Sequence, residues 1–253
     1  MDELKKQYKN YISLGYFCSV AMELEKYGLR DYSYPFDWII SDFEGIVSAI
    51  NDNFSDYLDY DNLYQSKKVR STYLDQKYQF VFIHDFDKYK CLDSQLDFVR
   101  EKHRRRIERF YEKITEPTLF IRYISDEASD ENGKSKELLY IEENIDDILG
   151  TFKRYNPEND IIWIANQGVI SDVIKIYHVV RDENDTCCRK PFDNSTELHQ
   201  YFETVEYPMR KDNLLRYQRK QKKKNSYFTR ICKKLTNKAD SLLRKEYVHA
   251  KEF

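Results

Sequence analysis

Four short runs of aromatic and β-branched residues, with helical periodicity between them, limit what this chain can fold into. The runs are NYISLG (10–15), YQFVFIHDF (78–86), TLFIRYI (118–124) and DIIWIANQG (160–168). A fifth, VIKIYHVV (173–180), reads equally as strand or helix. Between the runs lie apolar stripes at helical spacing. Val20, Ala21 and Leu24 follow Cys18, and Gly28 is the C-terminal stop. Phe43, Ile46, Val47, Ile50 and Phe54 follow an S-x-x-E capping pattern at Ser41 and Glu44. Leu96, Val99, Ile107, Phe110 and Ile114 make a third stripe. Leu138, Ile141, Ile145, Ile148 and Phe152 make a fourth, which Asn156-Pro157 ends. SYPFDW (33–38) reads as an extended segment. Strands alternating with helices of this length predict an α/β fold, with a mostly parallel central sheet of about five strands flanked by helices.

In an open parallel sheet the ligand site lies beyond the carboxyl ends of the strands. The residues there are Gly15 and Cys18, then His84-Asp85, then Arg122 with Asp126, then Asn166-Gln167. A nucleophile, a base, a cation and an amide donor therefore share one expected edge. Cys18 falls in the first turn of its helix, where free N–H groups and the helix dipole favour a thiolate. The same N–H groups suit an oxyanion on an attacked carbonyl. Gly15 permits the tight turn into the helix. His84 would take the thiol proton. Asp85, Asp37 or Asn166 would orient it, and the residues do not choose among the three. The bland alternative is that Cys18 is a small core residue and His84 a structural strand end. Arg122 interrupts an apolar strand and needs an anion, either an internal carboxylate such as Asp37 or a substrate.

Other chemistry finds less support. His103 lies on the apolar stripe of an arginine-rich helix and is expected to be packed. Arg104, Arg105, Arg106 and Arg109 read mainly as a solvated face, with a phosphate or carboxylate clamp as the alternative. The neighbouring side chains of Cys187 and Cys188 diverge, so they make poor joint ligands. Cys91 and Cys232 read as core or interface thiols. Five cysteines without a CxxC pair predict neither a disulfide framework nor a metal site. No glycine-rich phosphate loop, HExxH or DxDxDG run occurs.

Charge divides the chain. From Arg210 onward there are fifteen Lys/Arg against four Asp/Glu, a net of +11, and the rest carries a net of −13. The division suggests an α/β Cys-His domain over 1–210 and a basic amphipathic helical tail over 211–253. Phe228, Ile231, Cys232, Leu235, Ala239, Leu242 and Leu243 stripe that tail. Its expected partner is first the acidic domain itself and second an anionic membrane surface. Nucleic acid is not expected, because the tail offers little aromatic stacking surface. The polar N-terminus is no secretory signal, and no apolar run reaches the roughly 18 residues of a membrane span. The expected location is cytoplasmic, with a peripheral place at the inner membrane face if the tail binds lipid.

The ordered motifs Ser13-Leu14-Gly15, Cys18, Leu29-Arg30, Ser33, Pro35 to Trp38, His84-Asp85, Arg105-Arg106, Arg109-Phe110 and Phe120 to Arg122 carry a resemblance. Over roughly residues 10 to 170 the chain resembles a bacterial family of unknown function described as papain-like cysteine peptidases. The resemblance implies Cys18 as nucleophile and His84 as base, with Asp85 beside it. Gly15, Ser33, Asp37, Trp38, Arg122 and Asn166 are then the substrate-binding candidates. The strand, G-x-x-C turn and helix also look like the Gly-Asp-Ser esterase arrangement with Cys replacing Ser. Capsule-polysaccharide acetyltransferases with a Cys-His pair look similar in layout. Relatives are expected near surface-polysaccharide genes. The implied function is a thiol hydrolase or acyltransferase acting on a peptide, a sugar or another acyl-bearing small molecule. No cofactor is required, and coenzyme A is the acyl donor to test. The competing reading is a non-catalytic binding or scaffold protein of a surface-polysaccharide synthesis complex.

Overall fold

The computed structural model describes residues 7–126, 134–180, 188–204 and 211–224. In chain order the first elements are β1 (Asn10–Ser13), α1 (Ser19–Lys26), β2 (Ile39–Ser41), α2 (Phe43–Asn51), β3 (Leu63–Gln65), β4 (Tyr73–Asp75) and β5 (Phe80–Phe82). Then come α3 (Leu96–Lys113), β6 (Thr118–Tyr123), α4 (Lys136–Glu143), α5 (Ile145–Lys153), β7 (Asp160–Asn166), β8 (Ile176–Val179), α6 (Thr196–Thr204) and α7 (Lys211–Lys224).

Two sheets form. The first is parallel, in the order β1-β6-β7-β8. Its central strands β6 and β7 are near-continuous apolar runs because both of their faces are covered. Phe120, Ile161 and Trp163 join the core under α2, α3, α4 and α5. Leu119, Ile121, Ile162 and Ile164 join the core that holds Val20 and Leu24 of α1 and Leu198 of α6. The second sheet is antiparallel, in the order β2-β5-β4-β3, with Ile39 opposite Phe82 and Ser41 opposite Phe80. Side chains in a strand alternate faces. Phe80 and Phe82 accordingly enter the first core, and Val81 enters the second. Phe36 is the hinge of the aromatic packing, with ring centroids 5.7 Å from Phe54, 5.9 Å from Phe80 and 5.7 Å from Phe110.

Several sequence expectations are corrected here. Among the described residues the parallel sheet has four strands, not about five, because the run at 78–86 builds β5 of the antiparallel sheet. The run at 173–180 is a strand, β8. The stripe at 138–152 is two helices broken at Asn144, whose side-chain Nδ2 donates to Tyr140 O at 2.8 Å. Ser41 is no cap: it ends β2 and gives its oxygens to Arg122, while Asp42 stands at the start of α2. SYPFDW contains a tight turn rather than being an extended segment throughout.

Part of the basic tail is described. Helix α7 packs against α1, and Lys220 is bonded to Glu25. The expected boundary near residue 210 and the stripe from Phe228 to Leu243 lie outside the described residues. Among the described residues no helix is long and apolar enough to cross a membrane.

Candidate functional site

Cys18 stands where its sequence suggests. β1 ends at Ser13, the chain turns through Gly15, and Cys18 occupies the N-cap of α1, partly exposed. Its carbonyl accepts Met22 N–H at 3.0 Å, the first bond of the helix. Gly15 has a φ of +75°, in the left-handed region. A Cβ there would lie 2.5 Å from Ser41 Oγ and 3.3 Å from Arg122 Nη1. Both the backbone angle and the close approach therefore require glycine. Gly15→Ala is expected to destabilise the protein by about 1–3 kcal/mol, read as a lower thermal midpoint. A neutral or raised midpoint would show that the turn is not under this constraint.

Arg122 is fully buried behind that turn. Nε and Nη2 donate to Glu137 Oε1 and Oε2 at 2.8 and 2.6 Å. Nη1 donates to Leu14 O at 2.7 Å and Ser41 Oγ at 3.1 Å, and Nη2 donates also to Ser41 O at 2.7 Å. A guanidinium has five N–H donors, and all five are engaged. Arg122 is therefore a structural pin between β1, β2 and α4, with no donor left for a substrate. Its anion is Glu137, not Asp37. Burial pushes the Glu137 carboxyl up, and Arg122 opposes that shift.

The Phe36–Ser41 segment links the Cys18 turn to the histidine. Phe36 O comes within 3.5 Å of the Cβ position of Gly15, and Ser41 N–H donates to Tyr16 O at 3.2 Å. Between them Trp38 presents its ring edge-on to His84, with centroids 6.3 Å apart. His84 is exposed. The Arg30 guanidinium lies over the Trp38 ring, 5.3 Å from its centroid. Arg30 Nη1 also donates to Asp37 Oδ2 at 2.7 Å, and Tyr34 N–H donates to the same oxygen at 3.0 Å. Burial pushes the Asp37 carboxyl up, against the pull of Arg30. The Ser33 carbonyl accepts Arg109 Nη2 at 3.1 Å. Asp37 Oδ1, Asp85 Oδ2 and Arg109 Nε are buried without a hydrogen-bond partner among the described residues. All three belong to the sequence motifs, and such atoms are uncommon in native folds.

Asp85 departs from its expected role. It does not serve the neighbouring His84 with the oxygen seen here: its Oδ1 faces α3, 3.2 Å from His103 Nε2 and bonded to Lys102, with Arg106 Nη1 at 4.0 Å. Burial alone would raise the Asp85 carboxyl, but the His103 and Lys102 bonds hold it well below the usual carboxylate range. His103 is packed, as its position on the stripe suggests, yet its Nδ1 lies 2.9 Å from Tyr57 Oη. The sequence gives no sign of Tyr57 or Glu137, and it offers Arg30 only as part of the Leu29-Arg30 motif, without a role. A signal for His103 existed: it shares a helix face with Arg106 and Phe110, one and two turns on.

Asn166 ends β7 at the edge that Cys18 shares. It accepts the Tyr123 hydroxyl and donates Nδ2 to Asp126 Oδ2 at 2.8 Å. The Tyr123 ring lies 6.3 Å from that of Tyr16, and its hydroxyl accepts Cys188 N–H at 2.9 Å. Asn166 thus shares the sheet edge with the Cys18 turn and is linked to it through Tyr123 and Tyr16, whereas His84-Asp85 belongs to the other sheet and not to the expected parallel edge. Cys91 is exposed rather than core, and Cys188 is buried. Cys187 and Cys232 lie outside the described residues. Among the described residues no three His, Cys, Asp or Glu side chains gather as a metal site.

Residues 9–147 match the family described as "Putative papain-like cysteine peptidase". The chain is similar to an uncharacterized protein of Acanthamoeba polyphaga mimivirus, 28% identical over 196 residues that span 68% of this chain and 86% of that protein. That relative is viral, whereas the motifs resemble a bacterial family. No solved structure matches.

Proposed function

Because the chain belongs to that papain-like cysteine peptidase family, we propose that it is a cysteine hydrolase, with Cys18 as nucleophile and His84 as base. The observation that carries this reading is the address of Cys18. It caps α1 directly after a strand of the parallel sheet and a glycine turn, and it is partly exposed. The N–H groups of the first helical turn have no acceptor within the helix. They and the helix dipole favour a thiolate and then an oxyanion. The Phe36–Ser41 segment, which clasps the Cys18 turn and carries Trp38 to His84, supports the pairing.

In this reading the thiol proton passes to the His84 ring and the thiolate adds to an acyl carbon. The imidazolium returns the proton to the leaving group as its bond to that carbon breaks, which leaves a thioester on Cys18. A water that loses its proton to His84 then releases the acid and restores the thiol. A sugar hydroxyl in place of water, with coenzyme A carrying the acyl group, would turn the same first half into acyl transfer. No observation favours that branch.

Alkylation tests the pair. At pH 6 iodoacetamide is expected to label Cys18 about tenfold faster than an ordinary thiol, after allowing for the lower nucleophilicity of an acidic thiolate. Cys91 is the internal control, because it is exposed and its contact with Ser94 already lowers its thiol. Peptide mapping separates the two. His84→Ala should slow Cys18 and leave Cys91 unchanged. A Cys18 rate indifferent to that substitution would remove the pair.

A further inference from the structure

His84 and Asp85 are neighbours with opposite fates. The ring of His84 is exposed, while the Asp85 side chain is only 2% exposed and turned toward α3. Adjacent side chains leaving a strand diverge in this way. Whatever holds Asp85 therefore fixes the backbone from which His84 projects. The segment from Ile83 to Gln95 has neither helix nor strand. Its inward ties are Ile83, packed on the second core, Asp85, Phe86 tilted against Tyr73 at 4.3 Å, and Asp87 N–H donating to Gln95 Oε1 at 2.7 Å. Ile83 and Asp85 flank His84, and of these two Asp85 makes the directional, polar tie.

One turn of α3 supplies the partners of Asp85: Lys102, His103 and Arg106. His103 is the buried one, at 0% exposure. Its ring meets Phe82 edge-on at 5.5 Å and Tyr57 at 5.4 Å. A carboxylate only accepts, so Nε2 carries the hydrogen and donates to Asp85 Oδ1. Nδ1 is then an acceptor, and the Tyr57 hydroxyl donates to it. Both bonds are satisfied by one neutral tautomer, in which Nε2 does not accept from Arg106 Nη1, 3.4 Å away. Burial agrees, since it lowers the imidazole's affinity for a proton more than Asp85 raises it.

We propose that His103 is a positioning residue for His84, acting through Asp85 and held in its tautomer by Tyr57. The inference rests on the reading of His84 as the base. Asp85 thereby changes role: it does not orient the base by a direct bond but anchors the base's backbone to α3.

The test is the pH dependence of Cys18 alkylation by iodoacetamide, read by peptide mapping in the full chain. The variants are His84→Ala, His103→Phe, His103→Gln and Tyr57→Phe, with a thermal midpoint for each. His103→Phe should remove most of the low-pH reactivity that His84→Ala removes, about a tenfold loss at pH 6. His103→Gln, which keeps an N–H for Asp85, should restore it. Tyr57→Phe removes one hydroxyl and should give an intermediate loss, so the proposal stays testable if His103→Phe does not fold. A folded His103→Phe or Tyr57→Phe with the wild-type profile, alongside a sensitive His84→Ala, overturns the positioning role and leaves the base assignment standing. A wild-type profile that His84→Ala does not change overturns both.

Discussion

Arg122→Met is expected to lower stability by about 3–5 kcal/mol, because removing one member of a buried ion pair strands the other. In urea that corresponds to a midpoint lower by about 1–2 M. The guanidinium is fully buried and its five donors meet Glu137, Leu14 O and both oxygens of Ser41. Methionine fills much of the volume but leaves the Glu137 carboxylate, 8% exposed, without its cation. The pH dependence has a definite sign. Burial already raises the Glu137 carboxyl above its usual range, and Arg122 is what opposes the rise. Without Arg122 the folded state holds the Glu137 proton more tightly than the unfolded chain does. A group raised in this way stabilises the fold below its unfolded pKa of about 4.3, and the benefit fades as pH climbs toward the folded value. The deficit of Arg122→Met should thus be smallest near pH 4 and grow toward neutrality. Adding Glu137→Leu should recover a large part of it, since an apolar pair of similar volume is tolerated. A loss that is flat with pH, or not relieved by Glu137→Leu, would mean that Glu137 is not the group stranded.

The parallel sheet could be read from the sequence because β6 and β7 are buried on both faces, so their runs are continuously apolar. The same reasoning misplaced β5. Phe80 and Phe82 enter one core and Val81 the other, so an antiparallel strand between two cores looks like a parallel one. β3 and β4 are three residues each, too short to show a period. The break at Asn144 was invisible because Ile141 and Ile148 on either side serve the same core. Cys18 was legible because its address is local: a strand, a glycine, a helix start. Partners were not. Ser41 has the spacing of a cap, yet a buried arginine eighty-one positions away claims its oxygens. Asp85 is one of three groups the sequence offers to orient its neighbour His84, whereas its bond goes to a histidine eighteen positions on, across the fold. Ion-pair partners depend on which elements pack, and one sequence does not state that.

The largest chemical effect expected is at Cys18 itself. An activated ester such as p-nitrophenyl acetate bypasses substrate recognition, so it reports the thiol and its base alone. Acetyl should move to Cys18 Sγ as p-nitrophenolate leaves, through an oxyanion held at the start of α1. Losing a general base typically costs on the order of 10²–10⁴ in rate. His84→Ala should accordingly acetylate Cys18 at least about a hundredfold more slowly, and Cys18→Ala should carry no acetyl at that peptide. Exposed lysines and Cys91 react at their own background rates in all three proteins. That contrast makes the acetylated peptide map, taken early in the reaction near neutral pH, the most direct measurement of the account. It should show acetyl concentrated on Cys18 in the wild type and lost from it in His84→Ala. Acetyl spread over lysines and Cys91, with Cys18 no more modified than they are or unaffected by the loss of His84, would contradict the proposed enzyme.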